Sequence, residues 1–228
     1  MKLVFIHGSA GSKKNFKYLV QELEKFNCLA FDLIGFGSER KPKVKYDLDL
    51  FMNDINGKIN STGKVILIGH SVGAILAKEY ALRNSSVQKV FLINYPMKKE
   101  IIRKHWFHKM FIDQNILAKL LCHTKSIWKY LFYPYFIIFK FRYFDSFLDY
   151  FKHSFHSENS TLHEVLLKDD PSPLKDLEDR IIFISGGLDP FVDKPTTRKY
   201  KHYVIRNMKH SFFNHETEIA RIIKVNIS

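Results

Sequence analysis

Apolar and polar positions along the chain alternate between two textures. Short apolar runs rich in Val, Ile and Phe, bounded by turn-forming residues, predict strands at 3–6, 28–31, 64–68, 89–93, 181–184 and 202–205. Longer stretches with apolar residues at every third or fourth position predict helices at 15–26, 47–59, 72–83, 194–200 and 212–224. Each helix lies between two strands or after the last one. That rhythm is the mark of a doubly wound α/β fold, a mainly parallel six-stranded sheet with helices on both faces.

The connection from the fourth strand to the fifth is far longer than the others and carries its own pattern. Phe141, Phe144, Leu148, Phe151 and Phe155 recur at helical spacing, and Ile116, Leu117, Leu120 and Leu121 form a shorter stripe. Pro171 and Pro173 end the helical stretch, and Leu174 leads back towards the fifth strand. The chain therefore divides into an α/β core, 1–96 and 174–228, and a helical cap, 97–173, inserted after strand 4.

Composition sets the cap apart. Residues 97–157 hold eleven Lys or Arg against four Asp or Glu, and 106–155 hold seventeen of the 34 aromatic residues. Cations interleaved with flat rings suit single-stranded nucleic acid or an anionic membrane surface. The commoner arrangement, which the pattern favours, is a cap whose rings face inward and whose lysines are solvated.

The remaining composition mainly excludes. At 228 residues the chain fits one large domain, and 46% hydrophobic with 26% charged residues argues against disorder, collagen and coiled coil. Cys28 and Cys122 make no disulfide framework. Only six residues precede His7 and Gly8, too few for a secretory signal, so a cytoplasmic protein is expected. Pro134 interrupts the apolar run 131–139, and Lys140 and Arg142 close it, which excludes a spanning helix. No His or Cys cluster has metal-ligand spacing, and no cofactor is expected.

The chemistry concentrates at Gly69, His70, Ser71, Val72 and Gly73, a G-x-S-x-G sequence between a predicted strand and a predicted helix. There the pattern makes a sharp turn that exposes a serine hydroxyl, and side chains at 69 and 73 would collide with neighbouring backbone. A serine hydroxyl is a weak nucleophile at neutral pH. It needs a histidine to take its proton and a carboxylate to orient and stabilise that histidine.

With these residues the chain resembles the α/β-hydrolase fold, in its broad esterase, lipase and ring-cleavage-product hydrolase group. His7 and Gly8 match the group's His-Gly oxyanion loop, and Asp32, Gly35 and Gly37, with Ser38 directly after, match the Asp-x-x-Gly-x-Gly part of its Asp-x-x-Gly-x-Gly-x-Ser turn. Gly186, Gly187 and Asp189 stand where the family carries its acid, and His210 where it carries its base. The resemblance implies a triad of Ser71, Asp189 and His210, with Asp193 as the rival acid. It also implies an oxyanion hole from the backbone N–H groups of Val72 and Ser9, with Ala10 as the rival of Ser9. His7 then braces its loop, Asp32 forms a turn, and His70, His202 and His215 are structural.

The implied strand order is 2-1-3-4-5-6, which puts the Ser9 loop and the Ser71 elbow on either side of the reversal point. The family usually has an antiparallel pair ahead of its His-Gly strand; here the expected sheet begins at that strand and strand 2 forms an edge.

The expected activity is hydrolysis of a carboxylic ester of a small or medium hydrophobic acyl group through an acyl-enzyme at Ser71. Serine at position 71 argues against haloalkane dehalogenases and epoxide hydrolases of this fold, which use aspartate there. Amide, thioester and carbon–carbon hydrolysis share the same triad and stay open, as does a ligand-binding protein on the same scaffold. Trp106, Phe107, Trp128 and Phe136 are the cap side chains expected to line an acyl pocket. The expected partners are a small-molecule ester and an anionic membrane surface; nucleic acid would leave the triad idle.

Overall fold

The computed structural model describes residues 1–60, 63–139 and 141–227, without the side chains of Phe107, Ser126, Trp128, Lys129, Phe136, Ile137 and Phe139. Three of the four expected acyl-pocket residues, Phe107, Trp128 and Phe136, thus lie outside the described residues.

Six strands, β1 (Lys2–Ile6), β2 (Asn27–Ala30), β3 (Val65–His70), β4 (Val87–Ile93), β5 (Ile181–Gly186) and β6 (Lys201–Ile205), form one sheet in the order β2-β1-β3-β4-β5-β6. Every neighbouring pair is parallel, so the sheet is wholly rather than mainly parallel. The central strands read as unbroken apolar runs because both of their faces are covered, and every residue of β3 is buried. Side chains alternate between two cores. Val4, Ile6, Val65 and Leu67 pack towards α2 (Leu48–Ile59) and α3 (Val72–Arg83). Leu3, Phe5, Ile66 and Ile68 pack towards α1 (Lys17–Glu22) and the C-terminal helix (Glu216–Ile227).

Two predicted helices shift for local reasons. The expected helix 15–26 opens as a 3-10 turn, Lys13–Phe16, capped by the Ser12 side chain, before α1 begins. The last helix starts at Glu216 rather than at 212, because Asn214 has φ 69° and its N–H is held by the Tyr143 hydroxyl at 2.7 Å. Residues ahead of it are thereby freed to form the loop that carries His210.

Between β4 and β5 the chain is helical: α4 (Lys99–Lys104), α5 (Trp106–Ile112), α6 (Ile116–Phe139), α7 (Phe144–Tyr150) and α8 (Phe155–Thr161). The stripe from Phe141 to Phe155 is divided, since Ser154 makes a capping box with Ser157 and starts α8 afresh. Conversely α6 runs through Pro134, which interrupts the apolar run 131–139, at the loss of one backbone hydrogen bond. Among the described residues no helix is long and apolar enough to cross a membrane.

The expectation of inward rings and solvated lysines fails for α6. Ile116, Leu120, Ile127, Leu131 and Ile138 are between 57% and 83% exposed, while the Lys125 ammonium is buried. Helical periodicity fixes which residues share a face, not which way that face turns. Between β5 and β6 the chain passes a short helix, α9 (Lys194–Thr197), and after Ile205 α10 (Glu216–Ile227) completes the core around β6.

Two charged groups tie the cap's return to the core. Lys78, fully buried in α3, pairs with Asp169 at 2.7 Å and donates to the Asp170 carbonyl at 2.6 Å. Asp169 also accepts from the Tyr95 hydroxyl at 2.6 Å.

Candidate active site

Ser71 sits between β3 and α3 with φ 55° and ψ −123°, a left-handed conformation that L side chains rarely adopt. Its N–H donates to the Ile93 carbonyl at 3.0 Å and its own carbonyl accepts from Ala74 N–H at 2.8 Å, so the turn is held from both sides. A Cβ on Gly73 would run into the Ile6 and His7 carbonyls, and one on Gly69 into the Gly73 carbonyl. Glycine at both positions lets α3 start flush against β1 and lifts the Ser71 hydroxyl clear.

The hydroxyl meets a histidine. Ser71 Oγ lies 2.8 Å from His210 Nε2, and His210 Nδ1 lies 2.8 Å from Asp189 Oδ2. With its proton on Nδ1, the ring donates to Asp189 and accepts from Ser71. Asp189 is buried, and its other oxygen accepts from Phe191 N–H at 2.9 Å. Asp193 is engaged elsewhere: it precedes α9, and its carboxylate accepts from the Thr196 hydroxyl. The structure thus brings Ser71, His210 and Asp189 into one hydrogen-bonded line.

Two further residues set the position of His210. Asn94, at the end of β4 with φ 51°, donates through Nδ2 to the Lys209 and His210 carbonyls at 2.9 and 2.8 Å. Its Oδ1 accepts from Gly186 N–H at 2.7 Å, joining the ends of β4 and β5 to the histidine loop. His70 Nε2 donates to the His210 carbonyl at 2.8 Å. Burial first, and the neighbouring His210 ring second, lower the His70 pKa to about 3, so it stays neutral. The G-x-S-x-G spacing marks His70 but not its role, and Asn94 carries no sequence signal beyond its place after a strand.

The His-Gly loop lies against Ser71, for a Cβ on Gly8 would be 3.1 Å from Ser71 Cβ. His7 braces it: Nδ1 donates to the Gly8 carbonyl at 2.7 Å and Nε2 accepts from Leu33 N–H at 3.0 Å. Asp32 accepts from Lys13 N–H and Ser38 N–H at 2.7 and 2.8 Å, as a turn-former does. Val72 is the first residue of α3, where backbone N–H groups lack intrahelical acceptors, and it directly follows Ser71. Ser9 follows Gly8 on the opposite side.

One residue that the pattern of the chain gives no sign of reaches this loop from the cap. Glu158 of α8 is fully buried, and its Oε1 accepts from Ser9 Oγ at 3.0 Å. Its Oε2 is buried and has no hydrogen-bond partner among the described residues. Burial raises its pKa to about 7, against the opposing pull of the Ser9 hydroxyl, the Ala10 N–H and Lys125. Ala10 N–H, the rival oxyanion donor, is therefore turned towards a carboxylate.

Cap side chains reach the histidine through Phe191. Phe191 meets the His210 ring edge-on at 4.9 Å, and His105 and His108 contact Phe191 at 5.3 and 5.4 Å. His108 is held at a pKa of about 4 by burial and by the charges of His105 and His210. Trp106 departs from its expected place. It is 68% exposed, since two positions along α5 from His108 it points to the other side of the helix. A cavity of about 330 Å3 opens within the cap, walled by Leu148, Phe151, Tyr133 and Cys122 with Lys125 and Lys152 at its edge. A larger depression, beside Arg83 and Arg180, is lined by none of the residues around Ser71. Among the described residues no three His, Cys, Asp or Glu side chains are placed to hold a metal ion.

A sharp strand–turn–helix at Ser71, a hydrogen-bonded Ser–His–Asp line and a six-stranded sheet in this order coincide with a match to the alpha/beta hydrolase fold family model over residues 2–121. The chain belongs to that family. The match ends inside α6, so most of the cap lies beyond it. Among curated relatives of this α/β-hydrolase chain, the AB hydrolase superfamily protein YisY of Bacillus subtilis is 32% identical over 98 residues, 40% of this chain and 37% of that protein. Epoxide hydrolase 1 of Caenorhabditis elegans is 29% identical over 142 residues, 55% of this chain and 35% of that protein. The chain thus spans less than half the length of these relatives. Among solved structures, a hydrolase from Pseudomonas aeruginosa PA01 superposes with a TM-score of 0.76 over 100% of this chain and 89% of that one, at 14% identity. At that identity the likeness is one of fold.

Proposed function

We propose that the protein is a serine hydrolase that cleaves carboxylic esters of small to medium hydrophobic acids through an acyl-enzyme at Ser71. The observation that carries this reading is the line Ser71–His210–Asp189, with both hydrogen bonds at 2.8 Å. In this mechanism Ser71 Oγ attacks the ester carbonyl while His210 Nε2 takes its proton, and buried Asp189 stabilises the imidazolium. The negative charge that develops on the carbonyl oxygen is met by the backbone N–H groups of Val72 and Ser9. His210 returns the proton to the departing alkoxide, so an alcohol leaves and Ser71 stays acylated. A water then gives its proton to His210 as its oxygen attacks the acyl carbonyl, the acid departs, and Ser71 recovers its proton.

The serine supports this reading over epoxide chemistry, despite the likeness to an epoxide hydrolase. That chemistry on this fold uses an elbow aspartate, and position 71 carries none. The Phe191 ring against His210 supports a preference for hydrophobic acids. The test is turnover of p-nitrophenyl esters from acetate to palmitate by wild type and Ser71→Ala. Expected is a rate that peaks at a medium chain and is lost in the variant. A folded wild type inert on every ester, or an equally active Ser71→Ala, would overturn the reading.

A further inference from the structure

The outward face of α6 is apolar where a surface helix should be polar. Ile116, Leu120, Ile127, Leu131 and Ile138 follow one another at intervals of four, seven, four and seven. At 100° per residue this eleven-residue repeat holds all five within a narrow stripe along the helix. All five are more than half exposed, and Tyr130 and Tyr135, at 60% and 50%, flank them. Buried Ala118 and the buried Lys125 ammonium lie on the opposite side. With 24 residues the stripe is about 36 Å long, well beyond the scattered apolar side chains of an ordinary surface.

Charge says what covers it. Residues 114–144 contain Lys119, Lys125, Lys129, Lys140 and Arg142 and no acidic residue, in a chain of net charge +13. Two copies pressed face to face along this stripe would bring like charges together. A surface that is apolar within and negative at its rim complements both features.

We propose that α6 lies in the plane of an anionic lipid bilayer, with the Ile116–Leu120–Ile127–Leu131–Ile138 stripe immersed at the acyl boundary. Tyr130 and Tyr135 then sit at headgroup level, and the exposed Lys119 and Arg142 meet lipid phosphates. The helix rests on the membrane and does not cross it.

The test is flotation of the whole chain with vesicles of phosphatidylcholine alone and with about 30% phosphatidylglycerol. Wild type is expected to float with the anionic vesicles and at least about tenfold less with the neutral ones, and less well at about 0.5 M salt. Ile127→Glu with Leu131→Glu is expected to lower binding by about tenfold or more at an unchanged Tm, both side chains being exposed. Ile116→Glu with Leu120→Glu gives the same comparison on the same stripe should the first pair lower the Tm. No flotation of wild type, equal flotation with neutral vesicles, or unchanged binding of a folded stripe variant would overturn the proposal. So would a wild-type dimer in light scattering that the stripe variants make monomeric, since a second copy would then cover the face. Flotation reads binding and not turnover, so the outcome stands apart from the role of Ser71.

Discussion

Ser71, Asp189 and His210 are legible in the sequence because each is tied to a local pattern: a glycine turn, a strand end, a loop before the last helix. Asn94 and Glu158 are not, since their roles arise from elements that meet only in three dimensions. Asn94→Ala strands Gly186 N–H and takes a donor from the Lys209 and His210 carbonyls, leaving His70 on the latter, so the histidine loses part of its seating. The expected result is a kcat about 10- to 100-fold lower with KM little changed, read on the best p-nitrophenyl ester; loss of both parameters through a collapsed Tm would count against a positioning role. Glu158 yields a prediction in pH. Burial raises its pKa from 4.5 to about 7, so the folded state prefers the protonated form. That preference is fully present below pH 4.5 and is lost as pH rises through about 7. Glu158→Gln keeps acceptors and donors but no charge. Relative to wild type it is expected to unfold alike near pH 4.5 and to be more stable above pH 7, by on the order of 3 kcal/mol. Urea titrations at the two pH values would show it, and an equal difference at both would refute it.

At the scale of elements, the strand–elbow–helix unit β3–Ser71–α3 follows from sequence because its strand, turn and helix signals agree, and α3 begins and ends where its periodicity predicts. The C-terminal helix begins later than its periodicity suggests because tertiary contacts on Asn214 override a local helical tendency. The helices of the cap are legible, but their orientation is not, as the outward stripe of α6 demonstrates. A buried ion pair is equally invisible in one dimension. Lys78 reads as one more lysine on an amphipathic helix, yet its ammonium is enclosed by Asp169, Glu79 and the Asp170 carbonyl. Removing one partner leaves the other charge buried and unpaired. Asp169→Ala is expected to cost about 3–5 kcal/mol in chemical denaturation, whereas Lys78→Met with Asp169→Leu is expected to recover most of it. A double variant as unstable as the single one would mean that the Tyr95 hydroxyl, and not the ion pair, carries the loss.

Across the whole molecule, the cap and the core are held together by bonds that come from sequence-distant residues and end near the site. Ser9 bonds Glu158, the Tyr46 N–H donates to Ser160 Oγ at 2.8 Å, and Lys14 pairs with Asp149 at 3.4 Å. Tyr143 reaches furthest: its ring stacks on Phe213 at 4.3 Å, and its hydroxyl meets Asn214 N–H, Asn214 Oδ1 and Glu216 Oε1. This one hydroxyl links the cap to the loop between His210 and the last helix. Such contacts make the cap part of the same cooperative unit as the sheet, so thermal unfolding followed by near-UV and far-UV signals should give a single coincident transition. Tyr143→Phe keeps the stack but leaves the Asn214 N–H and the Glu216 carboxylate short of a partner. The expected loss is about 1–3 kcal/mol, with the two signals moving to a lower Tm together. If the near-UV transition alone moved and preceded the far-UV one, the cap would be an independently melting lid, and Glu158 would leave the Ser9 loop before the sheet gave way.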